Sequence, residues 1–157
     1  MSSDKTWKLF EAVVFASRSY ETANFAFDEA AYAALGVNRT DGRCMDMLNL
    51  QGSMTAGMIA SESGLTTAAV TSVLDRLEKL GYVKRERDTE DRRRVNVALT
   101  EKAQQRAMEI WRPLGKDAFE GFAEMSTAEL EAVIRFFEFG KELNQRHVER
   151  VKQLRFD

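Results

Sequence analysis

The sequence predicts a mainly α-helical protein with one small β-hairpin, formed by residues 1–157 as a single unit. Three observations support this fold class. Apolar residues recur at helical spacing at both ends of the chain, two short amphipathic helices adjoin near its middle, and alternating apolar and polar residues surround a charged turn. The 157 residues, 44% of them hydrophobic and 31% charged, suffice for one compact domain with its own core or for a small module fused to long helices.

The first predicted helix runs from Lys5 to Leu35 and is apolar on more than one side, so it needs more than one neighbour. A second helix follows an N-cap at Asn38 and is expected to end before Asn49. It should turn three residues toward a core: Cys44, Met47 and Leu48.

A short third helix is predicted to begin after an N-cap at Thr55 and to end at Gly64. A fourth helix, residues 66–80, begins at Thr66 or Thr67 and carries one apolar stripe of Val70, Val73, Leu74, Leu77 and Leu80. Two such helices joined by a tight turn are typical of a helix-turn-helix. Joints between helices are predicted at Gly36, Gly42, Gly52, Gly64 and Gly81.

Two strand-like runs then surround RERDTEDRRR, residues 85–94, in which nine of ten residues are charged. Their apolar residues are Tyr82, Val83, Val95, Val97 and Leu99. A hairpin with a charged tip directly after a helix-turn-helix is a wing. Residues 37–100 are therefore predicted to form a winged helix-turn-helix with its wing at residues 85–95.

The C-terminal part is predicted to be helical from Thr100, and Pro113 is expected to kink or interrupt that helix. A capping box from Ser126 to Glu129 begins a long last helix with a wide apolar face. That face comprises Val133, Phe136, Phe137, Gly140, Leu143, Val151 and Leu154.

The fourth helix carries mostly small residues opposite its apolar stripe, as a helix needs if it is to enter a major groove about 12 Å wide. Hydroxyl groups near its start can reach base edges and phosphates, and Arg76 can fork onto a guanine or a phosphate. The residues of the helix-turn-helix predicted to contact DNA are Thr55, at the start of the third helix, and Thr66, Thr67, Ala68, Thr71, Ser72 and Arg76 of the fourth. The alternative is that they are ordinary solvated positions on a surface helix.

The wing tip carries three arginines, Arg92, Arg93 and Arg94, that are predicted to reach a minor groove, whose negative potential attracts guanidinium groups. Asp88 and Asp91 would orient these arginines through charge-assisted pairs. Without the adjoining helix-turn-helix, the same charges would indicate a solvated turn with ion pairs worth well under about 1 kcal/mol each.

Composition argues against an enzyme, since one His, one Cys and no Gly-rich phosphate loop cannot assemble a hydrolase triad or a nucleotide site. No cofactor and no metal are predicted. Cys44 cannot form an internal disulfide and is expected to be a buried, inert thiol. The chain has no secretory signal and no apolar run long enough for a membrane helix, which predicts a cytoplasmic protein.

The segment LTTAAVTSVLDRLEKLGYVKRERDTEDRRRVNVALTEKA, residues 65–103, resembles the MarR family of winged helix-turn-helix regulators. The resemblance implies a homodimer built from residues 1–36 and 101–157 and a pseudo-palindromic double-stranded DNA operator. It also implies helix 66–80 in the major groove, and Arg93, held by Asp91, in the minor groove. The sequence departs from the family pattern at Ser72, Ala103 and Pro113.

The same resemblance implies a repressor that a small effector, often an aromatic or phenolic acid, releases from DNA. Nothing in the sequence identifies that effector. Candidate residues for its cleft are Trp7, Phe15, Tyr20, Phe27 and Met45, although aromatic residues and Met at helical spacing more often form core. The alternative function is a winged-helix adaptor that binds protein, which would have no use for the wing arginines.

Overall fold

The structure of the chain, a computed structural model, describes residues 3–87 and 94–156. In chain order its elements are α1 (Ser3–Leu35), α2 (Arg39–Gln51), β1 (Met54–Thr55), α3 (Ala56–Ser63), α4 (Thr67–Lys79), β2 (Val83–Arg87), β3 (Val95–Leu99), α5 (Glu101–Ala123) and α6 (Thr127–Lys152). The chain divides into two compact units, Met1–Ile110 and Trp111–Asp157. The first unit contains the helix-turn-helix and the hairpin.

Side-chain caps determine where four of the helices begin. Asn38, Thr55 and Thr66 each accept a hydrogen bond from the backbone N–H three residues further on, at 2.9, 3.2 and 3.2 Å. Ser126 and Glu129 form the reciprocal capping box that begins α6. All four predicted helix starts are therefore confirmed.

The sheet has three antiparallel strands in the order β1-β3-β2. β2 and β3 form the predicted hairpin, in which Val83 lies opposite Leu99. β1 pairs with the other edge of β3, with Met54 opposite Val97. The sequence did not predict β1 because two residues are too few to give an alternating pattern. Since β1 leads directly into α3, it connects the helix-turn-helix to the hairpin.

The core of the first unit lies between α2, α3, α4 and the sheet. Its largest fully buried side chains are Leu48, Met54, Ile59, Leu74, Leu77, Val70, Val73, Val97 and Cys44. The apolar stripe predicted for α4 is confirmed at four positions, whereas Leu80 is the C-cap of α4 and is 38% exposed. In α2, Met45 is buried in place of the predicted Met47, because the buried positions are those three, four and seven residues after Asp41.

Four of the five predicted glycine joints are confirmed, since Gly36, Gly52, Gly64 and Gly81 have φ angles between 70° and 79°. The fifth prediction is wrong because Gly42 lies inside α2. A Cβ atom at Gly42 would lie 2.3 Å from ring atoms of Tyr32. Gly42 therefore lets α1 approach α2 closely. α2 also continues past the predicted end at Asn49 to Gln51.

Of the two effects predicted for Pro113, a kink or an interruption, the interruption does not occur, because α5 is helical from Glu101 to Ala123 with Pro113 inside it. Proline removes one backbone donor and costs a helix interior about 3 kcal/mol. The segment before Pro113 is rich in Ala, Glu, Gln and Arg, residues that favour helix, and this propensity offsets part of that cost.

The long helices expose many apolar side chains. Among residues 4–35 of α1, only Ala31, Tyr32 and Leu35, near the C-terminal end, are buried. The exposed apolar residues of α1 include Trp7, Leu9, Phe10, Phe15 and Tyr20, and those of α6 include Ile134, Phe136, Phe137 and Phe139. Within residues 3–87 and 94–156, no helix combines the length and the apolar character that crossing a membrane requires.

Candidate nucleic-acid interface

The turn between α3 and α4 fixes the geometry of the helix-turn-helix. Gly64 adopts a left-handed conformation with φ 71°, and its N–H donates to the Ala60 carbonyl at 3.0 Å. An L-residue with a side chain rarely adopts this φ, so glycine suits the position. Thr66 then begins α4, whose apolar stripe packs into the core and leaves the opposite side of the helix exposed.

That exposed side of α4, which we name the α4 face, brings together five of the predicted contact residues: Thr67, Ala68, Thr71, Ser72 and Arg76. The first four are small, so another molecule can come close to the helix backbone. Two further predicted residues, Thr55 and Thr66, lie at the starts of α3 and α4. Thr55 is half-buried and Thr66 is exposed.

The hydroxyl groups in the middle of the α4 face use their protons within the helix. Thr71 Oγ1 donates to the Thr67 carbonyl at 3.0 Å, and Ser72 Oγ donates to the Ala68 carbonyl at 3.1 Å. Because a hydroxyl carries one proton, each oxygen can offer only acceptor lone pairs to a ligand in this arrangement. Such acceptors suit the amino groups that adenine and cytosine present in the major groove.

The cap hydroxyl groups have the opposite character. Thr55 Oγ1 accepts from the Met58 N–H and Thr66 Oγ1 accepts from the Ala69 N–H, both at 3.2 Å. Each hydroxyl proton can therefore be donated outward. Donors at the start of a helix suit phosphate oxygens, and the partial positive charge of the helix start adds to the attraction.

Arg76, at the far end of the α4 face, is paired with a residue of α2. Its Nε donates to Asp41 Oδ2 at 3.0 Å and its Nη2 donates to Asp41 Oδ1 at 2.5 Å. The hydrogen bond with Asp41 raises the pKa of Arg76, so the guanidinium stays charged. Asp41 is 2% exposed. Its importance was missed from the sequence, although it occupies the first turn of α2 at the spacing of the buried positions.

A groove of about 490 Å³ lies between the start of α2 and the α4 face. Its lining comprises Asn38, Arg39, Thr40, Leu65, Ala69, Ser72, Val73 and Arg76. The groove therefore joins two residues of the α4 face to the first turn of α2.

The wing is connected to α4 by Arg85 of β2, another residue whose role was missed from the sequence. Its Nη2 donates to Asp75 Oδ1 at 2.6 Å, and its Nη1 donates to Glu78. The hydrogen bond with Asp75 raises the pKa of Arg85. Arg94, just before β3, is exposed. The other predicted wing residues, Asp88, Asp91, Arg92 and Arg93, lie outside the described residues.

A second cavity, of about 270 Å³, lies beside α1 and α2. Its lining comprises Phe25, Asp28, Glu29, Tyr32, Arg39, Arg43 and Asp46. The guanidinium of Arg39 lies 4.1 Å from the centre of the Phe25 ring. Tyr32 donates to Asp46 Oδ2 at 2.5 Å, and burial raises the pKa of both groups.

The residues predicted to line an effector cleft have different surroundings. Met45 is buried in the core and Phe27 is half-buried. Trp7, Phe15 and Tyr20 are exposed. The sequence signal, helical spacing of aromatic residues, does not distinguish a cleft from a core or an exposed face.

A short helix, a glycine turn, a helix with a small exposed face and an antiparallel hairpin define a winged helix-turn-helix protein. The sequence model of the MarR family matches residues 37–95. The chain is also 38% identical over 136 residues to YcgE of Bacillus subtilis (strain 168), described as an HTH-type transcriptional regulator, and the match covers 87% of this chain and 88% of YcgE. The chain belongs to the MarR family.

Solved structures of MarR-type proteins share the fold. The MarR family transcription regulator SP03579 matches with a TM-score of 0.65 and 18% identity, over 97% of this chain and 98% of that one. A MepR mutant of S. aureus bound to an oligodeoxyribonucleotide matches with a TM-score of 0.55 and 20% identity, over 86% and 96%. The relatives and the fold are those of transcriptional regulators and not of enzymes, as the sequence predicted.

Proposed function

We propose that the chain binds a pseudo-palindromic operator in double-stranded DNA, sequence-specifically and as a homodimer. The observation that carries this proposal is the α4 face, where the hydroxyl groups of Thr71 and Ser72 are left as acceptors on a slim, exposed helix. The proposed location is the cytoplasm, because the relative YcgE is a bacterial transcriptional regulator and a bacterial chromosome lies in the cytoplasm.

In this proposal α4 lies in the major groove, with Thr67, Ala68, Thr71 and Ser72 next to the base edges. Thr55 and Thr66 donate to phosphates on either side of the groove. The wing, residues 85–95, comes shortly after α4 in the sequence, and the ion pairs of Arg85 connect its first residue to α4. Arg92, Arg93 and Arg94 would enter the minor groove, with Asp88 and Asp91 orienting them.

A second copy of the chain is the proposed partner of the long helices, residues 1–36 and 101–157. Phe10, Phe15, Phe136 and Phe139 are exposed on α1 and α6, and monomeric proteins rarely expose apolar surface on this scale. Symmetric pairing would place two α4 helices about 34 Å apart, which is one turn of DNA. Scattering and sedimentation would test the dimer.

Repression with release by a small effector is the proposed mode of action, because a dimer that covers one operator excludes other proteins from it. A small aromatic or phenolic acid could bind the cavity beside α1, where Arg39 and Arg43 offer positive charge and Phe25 an aromatic face. Three carboxylates also line that cavity. The screen for release should therefore compare each acid with its neutral amide.

Selection of bound sequences from a random DNA pool, followed by titration at several salt concentrations, tests DNA binding. Ser72→Ala and Thr71→Val should reduce the preference for the selected sequence and leave binding to random DNA unchanged. Ser17→Ala is a matched control, because Ser17 also donates back along its helix, to the Val13 carbonyl at 2.8 Å.

The wing has its own test in the same titration. Arg93→Ala should lower affinity and reduce the slope of log affinity against log salt by about one. A protein-binding adaptor would be indifferent to Arg93→Ala. Failure to select any sequence, or wild-type binding that does not depend on salt, would refute the proposal.

A further inference from the structure

A buried carboxylate connects the first turn of α2 to the exposed face of α4. The side chain of Asp41 is 3% exposed, whereas that of Arg76 is 48% exposed. The two residues are 35 positions apart in the chain, so their pair joins two helices of the helix-turn-helix unit.

The surroundings of Asp41 favour a single arrangement of this pair. A buried carboxylate is unfavourable unless hydrogen bonds and opposite charge compensate for lost hydration. Asp41 receives both from the forked guanidinium of Arg76, and it lies in the first turn of α2, where the helix dipole favours negative charge. Removal of either partner would leave the other without this compensation.

The two hydrogen bonds with Asp41 also fix the orientation of the Arg76 guanidinium. With Nε and Nη2 both bound to Asp41, the plane of the guanidinium is set by a protein carboxylate. Arg76 lines the groove together with Ser72, one helical turn earlier in α4. The pair therefore joins α4 to α2 within one helical turn of the hydroxyl group of Ser72, which is proposed to read bases.

We propose that Asp41 is a positioning residue for DNA recognition. Through Arg76 it fixes the angle at which α4 presents Thr71 and Ser72 to the major groove, and Arg76 is part of this support and does not read a base. This role differs from the base or phosphate contact that the sequence predicts for Arg76. The inference rests on the proposed function, because it concerns how the α4 face meets DNA.

The test compares Asp41→Asn and Arg76→Lys with the wild-type chain on its selected operator and on random DNA, at several salt concentrations. Asp41→Asn removes the charge that holds the fork, and Arg76→Lys keeps the positive charge but cannot form a fork. Both variants should bind the operator about tenfold more weakly, with random-DNA affinity and salt slope unchanged. The control is Arg106→Lys, since the guanidinium of Arg106 also pairs with a carboxylate, with Nη1 3.1 Å from Glu109 Oε2, but both residues lie on α5 and line neither the groove nor the cavity.

The outcomes separate this inference from its alternatives. If Arg76 contacts DNA itself, Asp41→Asn frees its guanidinium, and operator binding stays equal or becomes tighter, which overturns the inference. A loss of thermal stability with an unchanged ratio of operator to random-DNA affinity would also overturn it, because the role would then be structural only. If wild-type protein selects no sequence, the proposed function fails and this inference fails with it.

Discussion

The hydroxyl of Tyr82 donates a 2.9 Å hydrogen bond to the carbonyl oxygen of Leu35. Leu35 is the last residue of α1, and Tyr82 directly precedes strand β2. The bond thus attaches the end of the first long helix to the base of the wing. Tyr82 is only 7% exposed, so its hydroxyl depends on a protein partner.

Tyr82→Phe is expected to lower the free energy of unfolding by about 1–2 kcal/mol. The ring still packs, but the buried carbonyl of Leu35 loses its side-chain donor. Thermal and urea unfolding of the two proteins would measure the difference. Equal stability of Tyr82→Phe and wild type would mean that water replaces the hydroxyl at Leu35.

The bridge from Arg85 to Asp75 and Glu78 gives a prediction about the wing. Arg85→Ala should lower operator affinity about fivefold, because a loosely held wing must be ordered when DNA binds. Its effect on unfolding should stay below about 1 kcal/mol, since both carboxylates are substantially exposed.

Lys84→Ala is the matched control for Arg85→Ala. Lys84 is the adjacent residue of β2 and pairs with Glu86 within the strand. Lys84→Ala removes one positive charge, as Arg85→Ala does, but keeps the ion pairs of Arg85 with Asp75 and Glu78 of α4. If Lys84→Ala and Arg85→Ala weaken operator binding equally, the effect is one of net charge, and the bridge has no part in holding the wing.

The sequence predicted those parts of the fold that short-range patterns determine. The start of α4 could be identified as Thr66 or Thr67 because a capping hydroxyl reaches a backbone N–H only three residues away, as that of Thr66 does. The stripe from Val70 to Leu77 could be identified because it repeats with the helix period. These features require no knowledge of the rest of the chain.

The features that were missed depend on residues distant in sequence. The partner of Arg76 lies 35 positions earlier, and β1 exists only because β3 lies beside it. Gly42 resembled a joint, but its small size serves the approach of Tyr32 from another helix. Neither charge patterns nor helix periodicity encode such pairings, so the candidate site could be placed on α4 but its support could not.

Asp46, beside the cavity of α1 and α2, should make stability depend on pH. Burial raises the pKa of Asp46. The hydrogen bond from Tyr32 acts against this shift, Asp28 adds to it and Arg43 opposes it. The net direction is upward from the ordinary value of 3.8.

A carboxyl with a raised pKa in the folded state contributes full stability below its unfolded-state pKa and loses that contribution as pH rises through its folded-state pKa. Asp46→Asn removes the ionisation but keeps an acceptor for Tyr32. Its melting temperature should therefore exceed that of wild type by a few degrees at about pH 7, with the advantage shrinking toward about pH 4.

Melting curves across that pH range would measure the difference, with Asp4→Asn as control because Asp4 is exposed at the start of α1. A lower melting temperature for Asp46→Asn at neutral pH would contradict the prediction. It would mean that the charged hydrogen bond with Tyr32 outweighs the cost of burial.

Cys44 should be protected from thiol reagents as long as the first unit stays folded. Its side chain is 0% exposed, and burial raises the pKa of the thiol, with the charge of Asp41 adding to the shift. Since the thiolate is the reactive form, both factors slow alkylation.

At neutral pH, iodoacetamide should modify the native chain at least about a hundredfold more slowly than the chain in urea, because reaction must wait for opening of the core. Mass spectrometry of timed samples would measure both rates, and Leu48→Ala, which loosens the same core, should speed labelling of the native chain. Rapid labelling of the wild-type chain under native conditions would place the thiol at an accessible surface and make a redox role worth testing.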